Sequence, residues 1–333
     1  MEQKYKWEYY DKYIENYIKS IRSKMIKLEP ERKRLLTKFW FLLILYSIVN
    51  IICVFLIIKL FPFENWAPIT KMLLSVFTVW IIPLEFNKIK DIYVEFKTLL
   101  KTRFMEQLVT TLGDIEYDGD YAHSIEYYEQ LKGSNLFQHF DIVDVDDTFN
   151  GTYKNVHFDL AETRLSYISD KGLKIKSFNG IVIVIQSNKN VNTNIIITTK
   201  SDSTIKNYKD FDFLRKIFNI KKDNFQNVKF EDLSFDKKYK VQANDQIEAR
   251  YFITPAFIER FKALKNSFKA RHVKCAFYNN KIMFVIPSNK DWFEIGNLFI
   301  PLDKYKYINQ FFNQITSIYA MIDHFKLNER TGL

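Results

Sequence analysis

The sequence predicts an α+β protein: an N-terminal helical transmembrane hairpin, then a cytoplasmic antiparallel-sheet domain with helices. Three observations carry this. Phe39 to Phe61 is an apolar run with one late charge, Lys59, the length a helix needs to cross a hydrocarbon core of roughly 30 Å. Trp66 to Phe86 supplies a return span. From about Asp147 onward, helical periodicity gives way to strand-like alternation.

Composition fits that architecture. Of 333 residues, 47% are hydrophobic and 17% aromatic, enough for packed cores and against wholesale disorder. The net charge is +10, of which about +7 falls in residues 1–113 and about +3 in the rest. Basic surplus beside apolar spans suits positive-inside topology and anionic headgroups. No helix-turn-helix, zinc finger or RNP-like string is present, so no nucleic-acid partner is expected. The two cysteines, Cys53 in a span and Cys275 far downstream, argue against a structural disulfide and fit a reducing compartment.

Residues 1–38 read as an amphipathic helix and a basic collar. Ile14, Ile18, Ile21, Met25 and Leu28 follow a 4-3-4-3 spacing, with Trp7, Tyr10 and Tyr17 broadening the face. Pro30 should break or kink the helix, and Arg32, Lys33, Arg34 and Lys38 form the collar. Within the hairpin (39–86), the short loop around Pro62–Asn65 carries Glu64 and no basic residue. Basic residues instead precede Phe39 and follow Phe86, which places both termini of a two-span protein in the cytoplasm. The first span lies too far from the N-terminus, without a small-residue cleavage site, to read as a removed leader. Tyr46, Asn50 and Cys53 share a face of the first span, and Ser75 and Thr78 one of the second. Helix–helix glue explains them better than a polar pathway, because no Asp, Glu or Arg sits mid-span.

Residues 87–132 read as membrane-proximal helices. Ile89, Tyr93, Phe96, Leu100, Phe104 and Leu108 recur at helical spacing, with the N-terminal helix as their natural partner. A turn over 113–120 and a short helix over 121–131 follow. The soluble domain spans 133–333, with strands expected at 157–168, 174–186, 193–199, 238–243, 272–278 and 281–286. A helix-containing stretch is expected over 203–222. Thr254-Pro255 should cap and open a helix. Asn279-Asn280 tolerates positive φ in a tight hairpin. A last helix is expected over 303–326. Asp-x-x-Glu-x-Arg occurs at 159–164 and 245–250, and VIQSNK (184–189) matches VIPSNK (285–290). These matches suggest two related β-modules, about 147–200 and 236–300.

No Walker loop, Gly-x-Ser-x-Gly, His-Glu-x-x-His or Rossmann glycine string is present, and eight glycines leave phosphate-cradling loops scarce. Asp245, Glu248 and Arg250 are the weak catalytic candidates, since paired carboxylates near an Arg suit acid–base work or a phosphate-bearing ligand. An ion pair fixing the turn before Thr254 is the plainer account. The repeat at Asp159, Glu162 and Arg164 favours it. Asp114 to Asp120 has the start of an EF-hand loop, but Ile125 stands where the bidentate Glu belongs. It reads as an acidic turn. Asp141, Asp144, Asp146 and Asp147 read as a solvated connector. His272-x-x-Cys275 lacks a second ligand pair, and Cys275 reads as core, although a pairing with His123, His139, His157 or His324 is conceivable. No metal and no cofactor is expected.

Taken together, DTFNGTYKNVHFDLAETRLSY (147–167), FNGIVIVI (178–185), KVQANDQIEARYFITPAFIERF (240–261) and DWFEI (291–295) resemble an uncharacterised bacterial membrane-protein family, domain-of-unknown-function family 3137. The resemblance implies a two-span hairpin ahead of a soluble domain in a bacterial inner membrane. It implies no activity, cofactor or catalytic residue. The expected function is a membrane-anchored interaction or scaffold module, partnered by the lipid bilayer and by protein or self-association, and binding protein or lipid headgroups. An enzyme with a cryptic site near the Asp-x-x-Glu-x-Arg turn and an oligomeric channel component are the rivals.

Overall fold

A computed structural model describes residues 13, 15–60, 68–117, 124–137, 139–187, 191, 193–200, 225–304 and 306–325. Helices and an antiparallel sheet make up the chain, which divides into two compact units. One comprises 15–108 and 294–309; the other comprises 1–14, 109–293 and 310–333.

The helical unit begins with a π turn, Ile18–Arg22, running into α1 (Ser23–Ile26). The wider turn shifts the phase of the expected seam. Tyr17, Ile21, Met25 and Leu28 are buried, whereas Ile18 is 41% exposed. Here the seam expectation is corrected. As Pro30 predicts, the helix stops, and α2 (Glu29–Leu60) starts with that proline in its first turn, where a missing N–H costs nothing.

Within α2, Glu29–Ile52 is long and apolar enough to cross a membrane, by length and composition. Its apolar side chains, Phe41, Ile44, Ile51 and Phe55 among them, are exposed. The next helix, α3 (Pro68–Thr110), buries Ile89, Phe96, Leu100, Phe104 and Leu108, the expected stripe. Lys24 Nζ donates to Gln107 Oε1 at 3.3 Å, joining the two predicted partners.

Part of the basic collar is internal. Arg32, 4% exposed, donates twice to Glu29 at 2.6 and 2.9 Å and once to the Leu298 carbonyl at 2.6 Å. Lys97 and Lys101 meet Glu294 at 2.7 and 3.1 Å. These charges tie the 294–309 segment to the helices, because a buried ion held by several donors keeps its charge without a large desolvation loss.

The other unit is built on a nine-stranded antiparallel sheet in the order β1-β2-β3-β4-β9-β8-β5-β7-β6. The strands are β1 (Asp114–Tyr117), β2 (Ile142–Tyr153), β3 (Val156–Ile168), β4 (Lys174–Gln186) and β5 (Ile195–Thr199). They continue with β6 (Gln226–Val228), β7 (Tyr239–Ala243), β8 (Lys274–Tyr278) and β9 (Lys281–Pro287). The helices of this half of the chain are α4 (Ile125–Gly133), α5 (Leu233–Lys238), α6 (Gln246–Phe252), α7 (Pro255–Ser267) and α8 (Lys306–Phe325).

Both faces of the sheet are covered. Ala161, Val182, Val184, Ala276, Met283 and Val285 pack with Tyr127 and Leu131 of α4. On the opposite face, Phe284 meets Phe261, Phe277 meets Phe257, Phe149 meets Phe311, and Phe158 meets Tyr319. Strands buried on both faces read as continuous β-branched runs, as IVIVI in β4 does.

Two acidic stretches are corrected from turn and connector to strand. Asp114 and Glu116 lie in β1, paired with β2; residues 118–123 lie outside the described set. Asp144 and Asp146 lie in β2, where Lys174 of β4 and Arg164 of the adjacent β3 neutralise them at 2.9 and 2.7 Å.

The strands that lead into the two Ser-Asn-Lys strings pair with each other. Strands β4 and β9 are direct neighbours, Ile183 standing opposite Phe284, its own counterpart in the sequence match. Around that pair, Ser187 N donates to Asn280 O at 2.7 Å and Ser288 N donates to Asn179 O at 2.8 Å. The two bonds are images of each other in a local pseudo-two-fold. Asn279 and Asn280 close β8–β9 with φ of 45° and 57°, as their dipeptide predicts. The expected helical stretch over 203–222 lies outside the described residues. So do the side chains of Cys53, Ser75 and Thr78.

Candidate functional site

The Asp-x-x-Glu-x-Arg strings fold differently from each other. In the second, Asp245 is the N-cap of α6, its Oδ1 accepting from Ile247 N at 2.7 Å and Glu248 N at 3.2 Å. The carboxylate is engaged by the helix it starts, while Arg250 is exposed at the helix's last turn. Asp245→Ala should destabilise the protein by about 1 kcal/mol, and Asp245→Asn, also a good cap, should restore most of it. Equal loss in both variants, read by thermal unfolding, would deny the capping role.

In the first string the residues lie on β3 and point to both sides of the sheet. Asp159, 5% exposed, accepts from Asn150 Nδ2 at 2.6 Å and stands 3.0 Å from His157 Nε2. Its burial pushes the carboxyl up, against the pull of His157. Glu162, 2% exposed, accepts from the backbone N–H of Trp292 at 3.0 Å. Arg164 is exposed and paired with Asp146. The string is therefore not a shared fold signature. One copy is an alternating strand, the other a capped helical turn.

Cys275 is fully buried on β8, and burial pushes its thiol well up, so it is no thiolate nucleophile at neutral pH. His272, three residues before it, lines a different feature.

That feature is a cleft of about 990 Å³, within the range of small-molecule sites. The α7–β8 connection, the start of β4 and the segment after β9 build it. Lys176, Lys269, Arg271, His272, Lys274 and Lys290 line it, and among the described residues no carboxylate does. Lys269, Arg271 and Lys290 make no ion pair among the described residues. Phe137, Phe178, Phe268 and Trp292 give it aromatic walls.

The pseudo-two-fold positions one side of the cleft. Asn179 Nδ2 donates to Ser288 O at 2.7 Å while Asn179 O accepts from Ser288 N, fixing two lining residues against each other. Trp292 packs on Phe268, ring centroids 5.6 Å apart. Its indole Nε1–H, and the hydroxyl of Ser177, are buried without a hydrogen-bond partner among the described residues. An orphaned buried donor costs about 1–3 kcal/mol, so an acceptor arriving here gains what the free protein lacks.

Sequence reasoning missed this site. The signal available was the short basic run from Lys269 to Lys274, KARHVK.

Fold and site together define an α+β protein with a helix of membrane-spanning length and a cationic, aromatic-walled cleft on its sheet unit. Residues 176–327 match the model of the family described as "Protein of unknown function (DUF3137)", the family that the sequence resembles. This stretch contains every charged residue of the cleft. No curated protein and no solved structure matches the chain.

Proposed function

We propose that this is a membrane-anchored interaction module without catalytic activity, whose sheet unit engages an anionic partner at the cationic cleft. In this reading, the apolar helices form a two-span hairpin in a bacterial inner membrane with both termini cytoplasmic. The basic excess in residues 1–113 and the single acidic residue of the inter-span loop support that orientation. The observation that carries the function is the lining itself. Lys269, Arg271 and Lys290, which make no ion pair among the described residues, stand at one cleft with Lys176 and Lys274 and with no carboxylate of the described residues in its lining, an arrangement that raises the local concentration of anions.

The test is crosslinking in cells from a photoreactive residue placed at Ala270, in the full-length protein. A reproducible adduct with an anionic lipid or an acidic protein, lost in the Arg271→Glu/Lys290→Glu double variant, is the expected result. An adduct pattern unchanged by that charge reversal would remove the cleft from the function.

A further inference from the structure

We infer that the cleft takes a phosphate ester, its phosphoryl group held by Arg271, Lys290, Ser177 and the Trp292 indole, its organic part against the aromatic walls. The inference rests on the reading of the cleft as an anion site and names the chemistry of the anion. Among the described residues, the unpartnered polar groups of the lining are donors or cations (Trp292 Nε1–H, Ser177 Oγ–H, Lys269, Arg271 and Lys290), with one acceptor, Asn179 Oδ1, beside them. A group that only accepts, and carries more than one charged oxygen, is the complement of those donors and cations. Phosphoryl oxygens match it better than a single carboxylate, because a guanidinium fork and separate point donors can each take a different oxygen.

The size of the cleft excludes a bare phosphate as its full complement. At about 990 Å³ it holds an organic portion as well, and the partly buried Phe137 offers apolar surface for it. Asn179 Oδ1, buried and without a donor, suits a hydroxyl on that portion. Trp292 is 4% exposed and its backbone is pinned by Glu162, so the indole donor is held in place before a ligand arrives, which lowers the ordering cost of binding.

A free phosphorylated metabolite and a phospholipid headgroup share this chemistry, and the experiment separates them. Full-length protein, nitrogen-15 labelled at tryptophan and held in uncharged detergent micelles, is titrated with glycerol 3-phosphate, with a soluble short-chain phosphatidylglycerol, and with citrate. The Trp292 indole resonance is assigned by its loss in Trp292→Phe. It should shift and saturate with a phosphate ester, and Arg271→Glu/Lys290→Glu should weaken the affinity by about tenfold or more. Saturation by glycerol 3-phosphate identifies a soluble metabolite class; saturation by the short-chain lipid alone identifies the headgroup of a bilayer lipid. A resonance that follows citrate and ignores both esters overturns the phosphate assignment while leaving the anion site standing. A resonance that follows none of the three overturns both.

Discussion

Gly180→Ala should lose about 4 kcal/mol or more of stability, a large part of what holds a typical domain together. Gly180 has φ +154°, in the region where L side chains are strained, and an added Cβ would lie 2.1 Å from the Ile286 carbonyl oxygen. It would also stand 2.9 Å from both Pro287 Cα and Ser288 N. All three are backbone atoms of β9 and its exit, so nothing flexible can move aside. Strand β9 would have to part from β4 at the Gly180–Pro287 pair, releasing the Asn179–Ser288 bonds that shape one side of the cleft. Gly172→Ala is the control. That glycine has φ +73° but nothing within 4 Å, so only backbone strain of about 1 kcal/mol applies. Thermal unfolding of both variants in micelles decides the matter. A Gly180→Ala midpoint matching that of Gly172→Ala would mean that the close approach of β9 does not exist.

Elements specified by local chemistry were legible in the sequence. Thr254 accepts from Phe257 N at 3.2 Å with Pro255 in the first turn, as the dipeptide announces. Ile89 to Leu108 bury at the spacing they display. What depended on distant partners was not legible. Strand β2 looked like a solvated connector because four aspartates suit a strand poorly, and the lysine and arginine that neutralise two of them lie on β4 and β3. Ile18 looked buried because nothing local announces a π turn. Asp159, Glu162 and Arg164 looked like the same structural signature as Asp245, Glu248 and Arg250, yet the first string lies on a strand, which sends positions three apart to opposite faces, and the second opens a helix.

The cleft was hidden for a related reason. Lys176, Arg271 and Lys290 come from three separated segments and are, one by one, ordinary members of a chain with 49 Lys and Arg. Only the antiparallel pairing of β4 with β9 brings the ends of these segments together. The second of the matched Ser-Asn-Lys strings, read as a mark of duplication, lies at the cleft: Ser288, Asn289 and Lys290 line it, and Ser288 holds Asn179, while Ser187 stands at the opposite end of the β4–β9 pair. The sheet's centre is thus what turns a scattered basic excess into a local one.

Glu162 links that architecture to pH. Its side chain is 2% exposed behind Trp292, and burial raises its carboxyl from 4.5 to about 7, with Asp291, Asp146 and Asp147 adding repulsion and the Trp292 N–H drawing it back down. The folded protein therefore holds this proton over a range in which the unfolded chain has already released it. Stability from the group is complete below pH 4.5, falls as the pH rises towards 7, and above that the fold carries a buried carboxylate at a cost of about 3 kcal/mol. Glu162→Gln keeps a carbonyl for the Trp292 N–H and removes the charge. It should stabilise the protein by about 3 kcal/mol at pH 8 and change it by less than about 1 kcal/mol at pH 4.5. Glu162→Ala should instead leave the Trp292 N–H without its acceptor and destabilise at both pH values, by about 1–3 kcal/mol at the lower one. Unfolding curves for the three proteins across this range test the assignment directly, and parallel profiles for Glu and Gln would show that the fold does not raise this carboxyl above its unfolded value. The contrast also bears on binding, because a carboxylate formed behind Trp292 draws on its backbone N–H while the indole on the other side awaits an acceptor.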